Sequence, residues 1–437
     1  MIVIDPLTRV EGHSKVTIYI QEGRVIDVKF NAVELRGFET FVRGADANTM
    51  PHVVSRICGV CSTAHHLAAV KALEHAYGVV PPERAVLVRE LMMVGQTIES
   101  HAMSLFFLAL PDFYQRKASI FELMSIDPSL TEKAVLVRKA GTDIISRAGR
   151  RGIHPTNAAA GGVYQIFDRS TADYLLDLCG RAVEAATSLV DETWGIFSKM
   201  KEEVLTSAAE PTYYITALDL DRSFYGSDFA IVRPDGIREV KAAPSEIPTY
   251  LTVDPREESF APIIHYGGQP IRTNSLARIN AFRGFGTPIA DSYVKRFDED
   301  WGIPAHATLL FDLARGIEII FCLERARELI SKCLEPGPLM TRFKMPKEGT
   351  GIGLVEAPRG VLYHEYHIER GLIQSARFYI PTQHNLFALE KAIAQEAQAH
   401  VSAEKVDMEL EAQVERVIRA FDLCVSCATH EIKIIRN

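Results

Sequence analysis

The sequence predicts a mainly α-helical protein with small β elements, an α+β arrangement, on three observations. Between Cys61 and about Met200, apolar residues recur at helical spacing over long stretches. The first fifty residues alternate apolar and polar side chains as strands do, and Gly351–Pro381 returns to short strand-like runs before a helical end. With 437 residues, of which 47% are apolar and 24% charged, the chain can bury a large core. It is read as a single unit over 1–437.

Taken in order, the N-terminal β-rich part reaches about residue 50, where V-T-I-Y-I, a turn at Gly23 and V-I-D-V-K-F spell a hairpin. A helical core follows over about 61–201, with helices expected at Ala64–Tyr77, Pro82–Phe107, Leu130–Ala148 and Ser170–Lys201. Residues 211–304 shift to Gly, Pro, Tyr and Asp, which reads as an irregular or weakly β insertion. The helical core resumes over about 305–430, with helices at Ala305–Leu334, Asn385–Gln398 and Lys405–Ala420, interrupted by the strands of Gly351–Pro381.

A formal charge of -8 without a basic stripe argues against a nucleic-acid binder. The apolar runs Met103–Leu110 and Ile317–Leu323 are shorter than the roughly 20 residues a bilayer span needs, and no basic-then-apolar leader opens the chain. A cytoplasmic protein is expected.

Seven cysteines without a secretory leader suit thiols, nucleophiles or metal ligands better than a disulfide scaffold. Cys179, Cys322 and Cys333 stand singly in apolar helical patterns and read as buried small hydrophobes. The other four form two Cys-x-x-Cys pairs, Cys58/Cys61 at the start of an expected helix and Cys424/Cys427 just after one. A helix N-terminus favours thiolate, and four thiolates make a soft ligand set. Spacing alone leaves open a structural zinc, a redox dithiol or an iron–sulfur cluster, although zinc pairs usually lie about 15–20 residues apart and these are separated by nearly the whole chain.

R-I-C-G-V-C at Arg56–Cys61 and D-L-C-V-S-C-A-T-H at Asp422–His430 resemble the two signatures of nickel–iron hydrogenase large subunits. Thr8–His13, Arg36–Glu39, His154-Pro155 with Gly161-Gly162, and Glu356–Gly360 through His364 are similar to further family segments in family order, so the likeness spans essentially the whole chain. The resemblance implies that Cys58, Cys61, Cys424 and Cys427 hold nickel, with Cys61 and Cys427 bridging to an iron that carries carbon monoxide and cyanide. Dihydrogen, a very weak acid, is then split heterolytically, with Cys424 as first proton acceptor and Glu11 as the next. Read without the resemblance, Glu11 would pair with Arg9 and Arg359 with Glu356.

The same resemblance places Arg359 over the open metal position and Pro358 beside the diatomic ligands. Arginine suits that place because it stays charged and orders a small polarised species. Asp422 orients it, with Asp112 a weaker candidate for the same canopy, and Arg56 and His65 support the thiolates or cyanide. Glu39 and His430 match the positions of a magnesium or iron ion. Two departures stand out: Leu423 replaces a usual proline, and Glu431–Asn437 follow the histidine after which many relatives are cut.

Cys179, Cys322 and Cys333 are too scattered to build an electron wire. The resemblance therefore implies an iron–sulfur small subunit, and beyond it a heterodisulfide-reductase-type or flavin/NAD module. Two alternatives carry the same fold: a hydrogen-sensing subunit, and a nickel-free connector of the respiratory complex I type.

Overall fold

A computed structural model of the chain describes residues 1–114, 119–217, 224–402 and 409–429. It opens with β1 (Ile2–Ile4), β2 (Ser14–Gln21) and β3 (Arg24–Ala32), an antiparallel sheet in that order whose hairpin turns at Gly23. The long helices α1 (Ser62–Tyr77), α2 (Glu83–Ala102), α3 (Pro128–Gly149) and α4 (Arg169–Lys199) follow. Two of them start at an aspartate cap. Asp127 caps α3 through the Leu130 amide at 2.9 Å, and Asp168 caps α4 through that of Thr171 at 2.8 Å.

The α-helix expected to run to Phe107 instead widens into a π-helix over Met103–Ala109. The run M-S-L-F-F-L-A is apolar at every position but Ser104, so its pattern does not separate the two periods.

Residues 211–304 are more ordered than the irregular insertion expected. They supply β4 (Tyr213–Thr216), β5 (Phe229–Val232), β6 (Arg238–Ala242), the hairpin β7 (Leu251–Asp254) and β8 (Ile263–Tyr266), β9 (Ile271–Arg272), α5 (Ser275–Phe282) and α6 (Pro288–Trp301). The four-stranded sheet runs β9-β4-β5-β6. Strands this short and buried on both faces, such as F-A-I-V in β5, show no alternation to detect.

Helix α7 (Leu310–Cys333) packs against α2 and α4, which α3 also joins, and this helical group holds much of the main core. The antiparallel sheet β10 (Gly349–Ala357), β11 (Gly360–Glu369) and β12 (Leu372–Tyr379) then leads into α8 (Pro381–Ala399) and α9 (Leu410–Phe421). Helix α1 lies directly on β10. A Cβ built on Gly351 or Gly353 would stand 1.9 Å from the carbonyl oxygen of Ala72 or Ala68, so only glycine admits this approach. The contact fixes the start of α1 against the turn between β10 and β11. Among the described residues no helix is long and apolar enough to cross a membrane.

Candidate metal centre

Cys58 sits in extended backbone and Cys61 occupies the N-cap of α1. The loop between them is clamped by Gln96 of α2, whose carbonyl accepts the Ala64 amide at 2.7 Å and whose amide donates to the Val60 carbonyl at 3.0 Å. The second pair follows α9. Asp422 takes a left-handed turn at φ 53°, and a short 3-10 turn over Ser426–Ala428 carries Cys427.

The N-terminal segment stitches the second pair in place. Glu11 forms a parallel bridge with Cys424, and its carbonyl accepts the Val425 amide at 3.0 Å. Gly12, at φ +85°, passes so close that a Cβ would meet that of Val425 at 2.8 Å. From the other side, the Cys424 amide donates to Thr382 Oγ1 at 3.0 Å.

The four sulfurs thereby converge, all within 4.8 Å of one another and all buried. Cys424 lies 2.7 Å from Cys427 and 3.3 Å from Cys58, and Cys61 lies 2.9 Å from Cys427. The thiols cannot all ionise unaided. Hydrogen bonds from its neighbours, Cys424 first, hold Cys58 well below the usual thiol range, while burial pushes Cys424 and Cys427 well above it. A soft divalent metal stabilises all four as thiolates, and the donor set fits one. Beside Cys61, Cys424 and Cys427 lies a cavity of about 10 Å³, walled by Leu362, Ile380 and Pro381 and overlooked by Arg359.

Arg359 is held as a fork. Its Nε donates to the Asp422 carbonyl and Nη2 to Asp422 Oδ1, both at 2.8 Å, and Nη1 reaches Ser100 Oγ at 3.3 Å. It does not pair with Glu356, which is bound to Arg278 at 2.6 Å. Arg278 also grips Glu318 and donates to the Pro358 carbonyl at 3.0 Å, so a fully buried network fixes the turn that carries Arg359.

Glu11 does not pair with Arg9, which instead binds Asp112. Its carboxylate accepts the Ser426 amide at 3.1 Å, and burial, then the negative charge of Cys58, raises its pKa. Asp112 is engaged by Arg9 and Arg419 rather than by Arg359, so it stands outside the fork. His65 borders the cavity, and burial lowers its pKa to about 4.

Arg56 is exposed, with its guanidinium donating to the His52 carbonyl at 2.5 Å, and among the described residues no hydrogen bond joins it to the sulfurs. Glu39 accepts the Phe378 amide at 2.7 Å. His430 and the following tail lie outside the described residues. The Thr429 carbonyl is bound by the amides of Arg36 and Gly37 at 2.9 and 3.0 Å, just before Glu39.

The family described as nickel-dependent hydrogenase matches residues 36–140 and 241–430, and a HoxL-like family matches 1–35. The chain belongs to the nickel-dependent hydrogenase family. It is 37% identical to a vhu-type F420-non-reducing hydrogenase chain of Methanocaldococcus jannaschii, covering 91% of this chain and 98% of that one. It is also 31% identical to a chain of sulfhydrogenase 1 from Pyrococcus furiosus, over 99% and 98%. The solved structure of an NAD+-reducing [NiFe]-hydrogenase in the H2-reduced state superposes with a TM-score of 0.93 at 32% identity, covering 98% of this chain and 99% of that one. The Ni-Fe-Se hydrogenase of D. vulgaris Hildenborough shares the fold, with a TM-score of 0.84 at 22% identity over 98% and 99%.

The chain is thus the catalytic large subunit of a nickel–iron hydrogenase, with the four cysteines clustered for its metal site. Sequence reasoning missed several hydrogenase residues that shape this site: Gln96, Ser100, Thr382, Arg278 and Glu318. Each lies on a helix or at its start, far along the chain from the motif it supports. The single legible hint is polarity inside an otherwise apolar helical stripe, as with Glu318 in α7.

Proposed function

We propose that the site splits dihydrogen heterolytically, with the Cys424 sulfur accepting the proton first, Glu11 accepting it next, and Arg359 steadying the gas at the open side. The observation that carries this reading is the meeting of four sulfurs from opposite ends of the chain. When bound, a nickel–iron centre supplies the two-electron oxidation that side chains cannot. Cys58, Cys61, Cys424 and Cys427 would hold the centre, their sulfurs lying within 4.8 Å of one another; the family resemblance would give Cys61 and Cys427 to both metals and Cys58 and Cys424 to nickel alone. The cavity's apolar wall, with Pro358 nearby, and its one guanidinium suit an iron carrying carbon monoxide and cyanide.

Arg359 stays charged because Asp422 and the sulfurs outweigh its desolvation, and Asp422 aims it. Glu11 is suited to receive a proton because burial raises its pKa and its carboxylate contacts Cys424. His65 supports the thiolates from α1. Glu39 and His430 hold a magnesium or iron ion, a reading supported by the anchoring of the Thr429 carbonyl on the amides of Arg36 and Gly37.

Electrons leave through an iron–sulfur small subunit in a cytoplasmic, multi-subunit complex, because the remaining cysteines are scattered, Cys179 on α4 and both Cys322 and Cys333 on α7. A heterodisulfide-reductase-type or flavin/NAD module takes them onward; the likeness to an NAD+-reducing hydrogenase supports the second. The whole chain acts as one structural unit.

The test uses the purified complex. Stoichiometric nickel, infrared bands of carbon monoxide and cyanide, and rapid hydrogen-dependent reduction of an artificial acceptor are expected. An active preparation without nickel would refute the reading, and bands with negligible turnover would favour a sensor.

A further inference from the structure

We propose that Tyr366 sets the position of the proton on His65, acting through His364, so that His65 presents an N–H to the sulfur-lined cavity. The proposal rests on the metal-centre reading above and extends it to residues that touch neither metal nor substrate. Leu362, His364 and Tyr366 alternate along β11 and so share one face, which is buried and begins at the cavity wall. His65 stands one helical turn after Cys61 on α1, its amide bonded to the Cys61 carbonyl at 3.2 Å.

These side chains form a line. His65 Nδ1 lies 3.0 Å from His364 Nε2, and His364 Nδ1 lies 2.7 Å from the Tyr366 hydroxyl. Phe378 packs edge-on against both His364 and Tyr366, with ring centroids 4.6 and 6.4 Å away, which prevents the rings from turning out of line.

Such a line can carry its protons in either direction, and the end group decides. Among the described residues, the Tyr366 hydroxyl has one hydrogen-bond partner in reach, His364 Nδ1. Its proton must point there, because the reverse arrangement would bury an O–H with no acceptor. His364 then carries its proton on Nε2 and donates to His65 Nδ1. His65 in turn carries its proton on Nε2, the one ring nitrogen left to it, in a side chain that lines the cavity together with Cys61, Cys424 and Cys427. Tyr366 is therefore a positioning residue.

Two measurements on the assembled complex test this. In a neutron structure of the perdeuterated protein, deuterium is expected on Nε2 of both His65 and His364; deuterium on Nδ1 of either overturns the proposal. In Tyr366→Phe, the ring packing is kept but the line loses its end donor. The carbon monoxide band is expected to move to lower frequency, because a thiolate relieved of an N–H donor gives more electron density to the metals. Tyr363→Phe, which removes a hydroxyl bound to Glu365 on the same strand, is expected to leave the band in place. An unmoved band in Tyr366→Phe, or equal movement in both variants, overturns the proposal. Absence of any such band in the native complex would instead refute the iron-ligand reading, and the neutron map would still decide the proton positions.

Discussion

Replacing Arg359 by lysine keeps a positive charge at the site but removes the fork. The guanidinium makes two bonds of 2.8 Å to Asp422, one to its carboxylate and one to its carbonyl, and a longer contact to Ser100. A lysine ammonium reaches one of these acceptors. Losing a buried charge-assisted bond costs roughly 1.5–3 kcal/mol, and stranding the Asp422 carbonyl adds about 1 kcal/mol or more, so a stability loss of about 3 kcal/mol is expected. The larger consequence is catalytic. A donor aimed where charge develops is worth about 10²–10³ in turnover. The assay is hydrogen-dependent dye reduction normalised to bound nickel, measured beside chemical denaturation. A variant that is destabilised yet turns over at the native rate per nickel would show that Arg359 only braces Asp422, and would refute a catalytic role.

The remaining predictions address the ligands, the helix–strand contact and pH. Cys424→Ser is expected to abolish hydrogen–deuterium exchange, whereas Cys179→Ser, buried in α4, leaves it nearly intact; equal losses would count against the ligand assignment. Gly353→Ala places a methyl 1.9 Å from the Ala68 carbonyl, so α1 must lift from β10. A loss of about 1–3 kcal/mol and a lower nickel content are expected, and an unchanged melting temperature would disprove the tight contact. Burial depresses His66 to about 4 and His384 to about 3, so as pH falls below about 6.5 the unfolded chain binds protons that the folded chain refuses. Stability should therefore drop on acidification, by roughly 2 kcal/mol per histidine at pH 5, and His384→Phe should flatten the slope by about one proton. Identical slopes for the variant and the native protein would contradict the burial argument.

Much of the fold was legible because long helices repeat one signal many times. Helix α1 begins two residues before its predicted start, and α4 deviates by one or two residues at each end. The sheet containing β4 and β5 was not legible, because a four-residue strand buried on both faces offers neither alternation nor length. At the site, the four cysteines were legible because they lie in two paired motifs, and the structure places Glu11, Arg359 and Asp422 close to them. Arg56 sits in the same kind of motif, but its guanidinium bonds the His52 carbonyl, which a linear pattern does not reveal.

The sequence by itself determined the four thiol ligands and the candidate groups around them, one arginine and two carboxylates, in segments that resemble those of one family in order. Only the tertiary structure decided which of these meet. It paired Arg359 with Asp422 and not Glu356, turned Glu11 toward Cys424 and away from Arg9, and aligned Tyr366 and His364 behind His65. The reason is physical. Residue identity sets what a group can donate, accept or ligate, whereas a contact between distant residues depends on how closely helices and strands pack, as the glycines of β10 permit α1 to do.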